Sequence, residues 1–283
     1  MKLIKFLIIA VITATPLFSQ SDPGARQIAL SHSSTALSND VFALFNNPSG
    51  LAQFDWREIG VYYSPSPFGL SELAHGYAAY SEPFSFGTIG AGFMTYGFEL
   101  YRETKFGISF STVVEERFFL GASIFFQNLK IENYGSDGSI LLNLGGLSYI
   151  TSDLRLGFYL SNLTRSTYGD EPDQIPVRYN LGISYDALPE LSLNSAMEKE
   201  LGFPISLRFG IEYLIIQYLS LRIGTNTEPA TYSAGVGIHY SYFNLDYSLM
   251  SHQDLGLTHQ VGLIVHFSEF ESRQKEIKKL LGF

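Results

Sequence analysis

The stretch at residues 177–186, VRYNLGISYD, decides the fold. Apolar and aromatic residues occupy every second position, and Arg, Asn, Gly, Ser and Asp alternate with them. A period of two puts the apolar residues on one face of a β-strand and the small or polar residues on the other. The same alternation returns at 205–214, ISLRFGIEYL, and at 230–241, ATYSAGVGIHYS. Strands with two such faces are typical of a transmembrane barrel, with lipid outside and a polar lumen inside.

Segments of this kind follow one another along most of the chain. The stretches between them alternate short and long, which predicts tight periplasmic turns, longer outer loops and both chain ends in the periplasm. We therefore predict an all-β fold, a transmembrane antiparallel β-barrel of about 14 strands. The predicted strands lie at 57–63, 72–81, 86–96, 100–114, 117–129, 138–150, 153–163, 176–186, 190–198, 205–215, 218–225, 230–240, 242–250 and 257–267.

The first residues predict export from the cytoplasm. Lys2 and Lys5 precede an apolar stretch that ends near Leu17, and Ser19 is a small residue suited to cleavage. This pattern predicts a secretory signal peptide at 1–19, with a membrane-anchoring helix as the alternative. The chain has no Cys, which excludes a lipoprotein anchor, disulfides and thiolate metal sites.

Composition supports a barrel rather than a soluble exported protein. The chain holds 23 Phe and 18 Tyr, only 16% of its residues are charged, and no apolar run after the signal is long enough for a transmembrane helix. A net charge of −9 makes nucleic acid an unsuitable partner.

We divide the exported chain into a plug-like segment at 20–56, a barrel at 57–267 and a periplasmic tail at 268–283.

A family resemblance enters at residues 24–52, GARQIALSHSSTALSNDVFALFNNPSGLA. This segment resembles the opening of PorV/PorQ-like proteins in the FadL-type outer-membrane transporter superfamily, although Ser31, Ser33 and Ser34 stand where those proteins carry Gly. The resemblance implies a fourteen-stranded barrel in a Gram-negative outer membrane, with the N-terminal segment folded into the lumen as a hatch. The hatch-motif residues that match are Gly24, Ala25, Arg26, Asp40, Ala43, Leu44, Asn47, Pro48, Gly50 and Leu51.

The hatch motif also has a local physical interpretation. Asn39 or Asp40 can cap a short helix, and Pro48 ends it because the residue before a proline prefers extended backbone. Gly50 would permit a turn with positive φ. The motif therefore either shapes the hatch or contacts a ligand, and Arg26 would pin the hatch by pairing with an inward carboxylate.

Charged residues recur at positions that face the lumen. They would form either a network of paired charges that holds barrel and hatch together or a polar lining for a solute path. Inward glycines would make room for the hatch or kink a strand to open a lateral gap. The lumen-facing charged residues are Arg155, Arg178, Asp186, Arg208, Glu212, Arg222, His239 and Asp246.

Catalytic motifs are missing, and the six His are scattered along the sequence. We therefore predict no enzyme, no cofactor and no metal site. The longest connection, 163–176, carries Asp170, Glu171 and Asp173 without the ligand order of a Ca²⁺ site. It is interpreted as a solvated outer loop or a partner-binding loop.

The tail predicts a helix from Glu269 to Phe283. Ile277, Leu280 and Leu281 would share one side, with Lys275, Lys278 and Lys279 opposite. Two roles are open for this tail. It is a frayed periplasmic end, or a surface helix that touches the inner leaflet or a partner.

Three functions compete for the whole chain. The resemblance favours a PorV/PorQ-like protein linked to type IX secretion or surface attachment, with secretion components or cargo as partners. The alternative is a FadL-like passive transporter of hydrophobic small molecules, whose ligand would leave sideways into the bilayer. Inward apolar candidates for it are Tyr159, Leu163 and the loop around Phe68. A purely structural barrel in outer-membrane lipid is the third.

Overall fold

The computed structural model describes residues 22–169, 175–269 and 272–283. The predicted signal peptide and the acidic residues Asp170, Glu171 and Asp173 lie outside the described residues. Fourteen antiparallel strands close into one barrel in chain order, and the last strand pairs with the first, so the predicted fold is confirmed. The strands are β1 Glu58–Ser64, β2 His75–Phe84, β3 Gly87–Gly97, β4 Tyr101–Glu115, β5 Phe118–Ile131, β6 Gly135–Tyr149, β7 Leu154–Ser161, β8 Arg178–Leu188, β9 Leu191–Glu200, β10 Ile205–Ile216, β11 Leu219–Thr227, β12 Ala230–Tyr240, β13 Phe243–His252 and β14 Gly256–His266.

The two faces of each strand meet different surroundings. On β8, Leu181 and Ile183 point outward and are about half exposed, whereas Ser184 and Asp186 point inward and are buried. The outer surface of the barrel is therefore apolar, as lipid contact requires. Among the described residues, no helix is both long enough and apolar enough to cross a membrane.

The connections differ from the predicted alternation of short and long. At the end where Glu58 begins β1 and His266 ends β14, which we name the terminal end, all turns are short. At the opposite, loop end, only 65–74 and 162–177 are long, so the predicted contrast is wrong for most pairs of strands. Strands β5 and β6 continue beyond their predicted ends, because strands that leave the lipid layer lose the apolar face on which the pattern depends.

Residues 22–56, which we name the N-terminal segment, lie inside the barrel. Helix α1, Ala25–Ala29, packs on β11 to β14, and a short 3-10 turn at Ser34–Ala36 packs on β7 to β9. Helix α2, Ala43–Asn46, leads into a 3-10 turn at Pro48–Gln53 that packs on β3 to β6. Contact with strands on nearly every side places this segment in the lumen, where most of its residues are buried.

The chain end folds onto the barrel. Helix α3, Arg273–Leu280, lies across the terminal end and buries Ile277. The tail is a helix packed on the barrel and not a frayed end, whereas contact of this helix with the leaflet or a partner stays a prediction. Lys278, predicted on the side opposite to Ile277, binds two carboxylates of the barrel, and Leu280, predicted on the side of Ile277, is 42% exposed.

Candidate functional site

Small residues let the N-terminal segment approach the wall closely. A Cβ atom added to Gly121 would lie 2.4 Å from the backbone nitrogen of Ser49, and one added to Gly145 would lie 2.0 Å from Oδ1 of Asn47. Gly107 also faces inward, but it makes room for the ring of Phe125. Glycines that make room for the segment include Gly90, Gly92, Gly121, Gly145, Gly157 and Gly182.

Arg26 is held by a chain of alternating charges. Its guanidinium forms two hydrogen bonds with Glu212, at 2.8 and 2.9 Å. Glu212 also accepts a bond from Arg222 at 2.7 Å, and Arg222 binds Asp246 at 2.5 Å. Arg26 also donates to Asn39 at 2.6 Å. The guanidinium groups of Arg26 and Arg222 alternate with the carboxylates of Glu212 and Asp246, so that every charge has an opposite charge beside it. This chain links α1 to β10, β11 and β13.

Gly24, Ala25 and Asp40 shape the start of the N-terminal segment. Gly24 adopts a φ of 113° before α1, and Ala25 is buried against the wall. Neither Asn39 nor Asp40 is the N-cap of α2, because the helix starts later than predicted and Phe42 takes that position. Asp40 instead accepts a bond from the backbone nitrogen of Phe42 at 3.0 Å, as an Asx-type turn does.

Asn47 and Pro48 join the segment to β4 and β6. Asn47 has the extended backbone expected before a proline, and its amide donates to the carbonyls of Thr35 and Gly146. The carbonyl of Pro48 accepts a bond from Ser111 at 2.5 Å. These contacts are made with protein atoms, and they fix the path of the chain.

Gly50 and Leu51 complete the motif. The predicted positive φ of Gly50 is wrong. The glycine is needed for close approach instead, since its Cβ would lie 1.9 Å from the carbonyl oxygen of Ser38. Leu51 is fully buried and reaches the strand at Gly90.

The remaining inward charges are paired as well. Arg155 binds Asp186 at 2.5 Å, and Arg208 binds Glu198. Arg178 holds both oxygens of Asp22, at 3.0 and 3.1 Å. The burial of Asp22 alone would raise its pKa, but Arg178 outweighs burial and lowers the pKa. Neither Asp22 nor Glu198 was singled out from the sequence, because alternation along a strand shows which way a residue faces but not which residue it contacts.

His32 is a neutral group at the inner wall. Burial, assisted by Arg208, lowers the pKa of His32 to about 4. Because its ordinary pKa is near 6.5, a released segment would take up a proton first as the pH falls. Seating of the segment should therefore weaken between about pH 6.5 and about pH 4.

Trp56, the single tryptophan, offers a probe of this effect, because it stacks on Phe54 at the base of the segment. We expect its emission to change over that pH range, and His32→Asn to remove the part of the change that protonation causes. Asn suits the position, whose φ is 55°. An identical transition in His32→Asn would assign it to another group.

An aromatic chamber lies on the loop-end side of the N-terminal segment. The void left in it is about 20 Å³, room for about one water molecule. Lys105 also lines it, 5.8 Å from the ring of Phe125. Of the ten residues that line the chamber, five are aromatic or aliphatic and five are polar or charged. The other lining residues are Asp22, Phe45, Tyr77, Leu141, Asn143, Tyr159, Ser161 and Arg178.

The strand wall is incomplete beside this chamber. Strand β7 ends at Ser161, so residues 135–143 of β6 have no strand on that side. The following loop fills the notch: Leu163 donates its backbone N–H to the carbonyl of Leu142 at 2.8 Å, and Ser166 bonds to Ile140. The notch between β6 and β8 is therefore closed by a loop rather than by a strand ladder.

Two loop segments cover the loop end of the lumen. Tyr168, from the β7–β8 loop, reaches Glu103 on β4 at 3.4 Å. Phe68, from the β1–β2 loop, donates its backbone N–H to Thr258 at 3.0 Å, and its ring centroid lies 6.0 Å from that of His252. Leu163, the third apolar candidate from the sequence, lies in the notch.

A second, larger cavity opens at the terminal end, below α1. It has a volume of about 590 Å³, and its lining combines charged residues such as Arg26, Glu212 and Asp246 with apolar residues such as Leu214 and Ile264. His239 bonds to Ser220 at 2.9 Å. Within residues 22–169, 175–269 and 272–283, no group of three or more His, Asp or Glu side chains could hold a metal ion.

Solved structures provide the comparison with known proteins. The toluene transporter TbuX of Ralstonia pickettii matches 86% of this chain and 97% of its own, with 13% identity and a TM-score of 0.66. The CymD monoaromatic hydrocarbon channel matches 88% and 98%, with 12% identity and a TM-score of 0.69. A FadL homologue of Pseudomonas aeruginosa matches 88% and 98%, with 14% identity and a TM-score of 0.61.

The chain has the fold of these channels and transporters. At these identities the likeness concerns the fold, and the neighbours are not enzymes, in line with the expectation for this chain. No family profile and no curated protein matches the sequence. The narrower resemblance of residues 24–52 to PorV/PorQ-like proteins therefore stays a prediction.

Proposed function

We propose that this protein is an outer-membrane channel through which small hydrophobic molecules cross passively. The observation that carries the proposal is the position of the aromatic chamber directly behind the loop-filled notch between β6 and β8. The neighbours with the same fold, described as a toluene transporter and a monoaromatic hydrocarbon channel, support it. In this proposal the terminal end faces the periplasm and the loop end faces the outside.

The chamber has the surface chemistry that such a ligand needs. Sites for small apolar molecules are lined mostly by aromatic and aliphatic side chains. Phe45, Tyr77, Phe125 and Leu141 provide an apolar face here, beside the paired charges of Asp22 and Arg178. Because the present void holds little more than one water molecule, a ligand enters only when the N-terminal segment moves and Asp22 leaves Arg178. The segment then acts as the hatch that the sequence resemblance implies.

The notch supplies a way out of the chamber. Charged groups such as Arg26, Glu212 and Asp246 line the cavity at the terminal end, whereas the outer surface beside β6 and β8 is apolar. Opening the loop at Leu163 breaks a few hydrogen bonds and leaves the strand ladders intact. Exit sideways into the bilayer is therefore the path that requires the smallest change in the barrel.

A disulfide across the notch tests this path. The hydrogen bond between Leu163 and Leu142 brings the two backbones close enough for a disulfide, which needs Cα atoms about 4.4–6.8 Å apart. Because the chain has no Cys, Leu142→Cys with Leu163→Cys creates the one possible bridge within it. We expect uptake of radiolabelled toluene by intact cells to fall at least about tenfold when the bridge forms and to recover after reduction, a barrier change of about 1.4 kcal/mol.

The single variants Leu142→Cys and Leu163→Cys are the matched controls. They alter the same side chains without the bridge and should leave uptake near its starting value. Equal uptake by the oxidised and reduced double variant would contradict exit through the notch. Equal uptake by cells with and without the protein would contradict the transport function itself.

Attachment to a secretion system is the second candidate function. It is supported by the motif residues that resemble PorV/PorQ-like proteins and by a lumen filled by the N-terminal segment. Loops at the loop end are short except for 65–74 and 162–177, which leaves a small surface for docking cargo. Affinity purification from the native outer membrane distinguishes the two: co-purified secretion components or surface proteins favour attachment, and bound apolar molecules favour transport.

A further inference from the structure

The C-terminal residues 272–283, which we name the strap, are anchored at two opposite sides of the barrel mouth. At one side, Arg273 pairs with Glu58 of β1 at 2.5 Å and donates to the carbonyl of Asn39 at 2.9 Å. The guanidinium also lies 5.9 Å from the ring centroids of Phe54 and Trp56. This anchor therefore joins the strap to the first strand and to the N-terminal segment at once.

The other anchor lies on β6 to β8. Lys278 binds Asp153 at 2.7 Å and Asp186 at 3.0 Å. Burial alone would lower the pKa of Lys278, but its hydrogen bonds to both carboxylates outweigh burial and raise the pKa. The ring of Phe283 lies 5.8 Å from that of Tyr149. Since β1 and β8, the strand that carries Asp186, are opposite in a closed ring of fourteen strands, the strap spans the mouth from one side to the other.

Both anchors rest on residues that seat the N-terminal segment. The buried carboxylate of Glu58 accepts bonds from the backbone nitrogen of Val41 at 2.9 Å and from Trp56 at 2.7 Å. At the other side, Tyr149 donates to Gln53 at 2.8 Å. The strap thus contacts the wall where the wall holds the segment, and Arg273 supplies the positive charge beside Glu58.

We propose that the strap is a latch on the N-terminal segment. While Arg273 and Lys278 are bound, the segment stays in the lumen. When the strap leaves the mouth, Glu58 keeps a buried charge without the guanidinium beside it, which favours release of the segment because water can then reach the carboxylate. The regulatory meaning rests on the proposed function: release at the periplasmic mouth would open the chamber to its ligand.

A cysteine reporter tests the latch without any solute. Ser38 lies in the segment, is 2% exposed, and its hydroxyl makes no hydrogen bond among the described residues, so Ser38→Cys disturbs little. In the otherwise Cys-free chain, a maleimide reports exposure of the segment. We expect a chain that ends at Ser268 to react at least about tenfold faster than the full chain. Heat-modifiable gel migration confirms that the barrel is folded in each sample.

Point variants keep the test decisive if the shortened chain does not fold. Arg273→Gln with Lys278→Gln removes both anchors and should also speed labelling about tenfold. Lys279→Gln is the matched control: this lysine is 77% exposed and pairs only with Glu276 on its own helix. It should label at the rate of the parent.

The outcomes separate the latch from transport. Unchanged labelling in folded barrels without the strap anchors overturns the latch, whatever the protein carries. Faster labelling supports it, even if toluene uptake is the same in cells with and without the protein, a result that would reject transport alone.

Discussion

Glu212→Gln is expected to loosen the N-terminal segment at a cost of about 1.5–3 kcal/mol, the usual worth of a hydrogen bond to a charged group, because the ion pair of Arg26 and Glu212 is only partly buried. The carboxylate of Glu212 lies between Arg26 and Arg222 and accepts hydrogen bonds from both. A neutral amide leaves two guanidinium groups close together with Asp246 as their nearest remaining wall carboxylate. Arg26 loses its contact with β10, and α1 loses its strongest bond to the wall.

The measurement is maleimide labelling of Ser38→Cys, together with the temperature at which the folded barrel loses its fast gel migration. Labelling should speed by about one to two orders of magnitude, roughly the factor that such an energy represents. Glu190→Gln is the matched control, since Glu190 lies exposed at the same end of the barrel. Adding Arg26→Gln to Glu212→Gln should restore part of the stability, and strictly additive losses would show that the two do not interact.

The strands could be predicted from the sequence because every membrane-crossing strand shows lipid at alternate residues. The observed ends of β10 and β12, 205–216 and 230–240, lie within one residue of the prediction. The alternation of apolar and polar residues did not predict the parts of strands that lie outside the lipid layer, because no lipid selects apolar residues there. Outside the lipid layer both faces of β6 are polar, so its start at Gly135 was missed.

The contacts of the lumen could be predicted only in part. Alternation shows that Glu212 and Arg178 face inward, but their partners Arg26 and Asp22 come from a segment more than 150 residues away. The motif predicts that Arg26 pairs with an inward carboxylate, but it does not say which one. The tail is a similar case. The spacing of its apolar residues predicted a helix, but not that Lys278 would bind Asp153 and Asp186 of the barrel.

The second prediction with a large expected effect concerns an inward glycine, Gly121, and it depends on steric exclusion rather than on charge. Gly121→Val places a branched side chain where the backbone nitrogen of Ser49 and the carbonyl carbon of Pro48 lie 2.4 and 2.5 Å from the first added carbon. Overpacking of a filled interior costs about 1–3 kcal/mol when side chains can shift, and more when backbone must move. The turn at 48–53 should therefore leave its place while the hydrogen bonds of β5 remain, because those bonds belong to the wall.

Gly262→Val is the matched control for this prediction, since a Cβ there meets Ala25 only at an ordinary contact distance of 3.5 Å. Labelling of Ser38→Cys should speed at least about tenfold in Gly121→Val, equivalent to about 1.4 kcal/mol, and much less in Gly262→Val. If the proposed function is right, toluene uptake rises with labelling in the same variant, because the segment that fills the lumen has been displaced. Equal labelling in both glycine variants would mean that the segment is not seated by close approach to the wall, and the charge network of Glu212 would then carry its attachment alone.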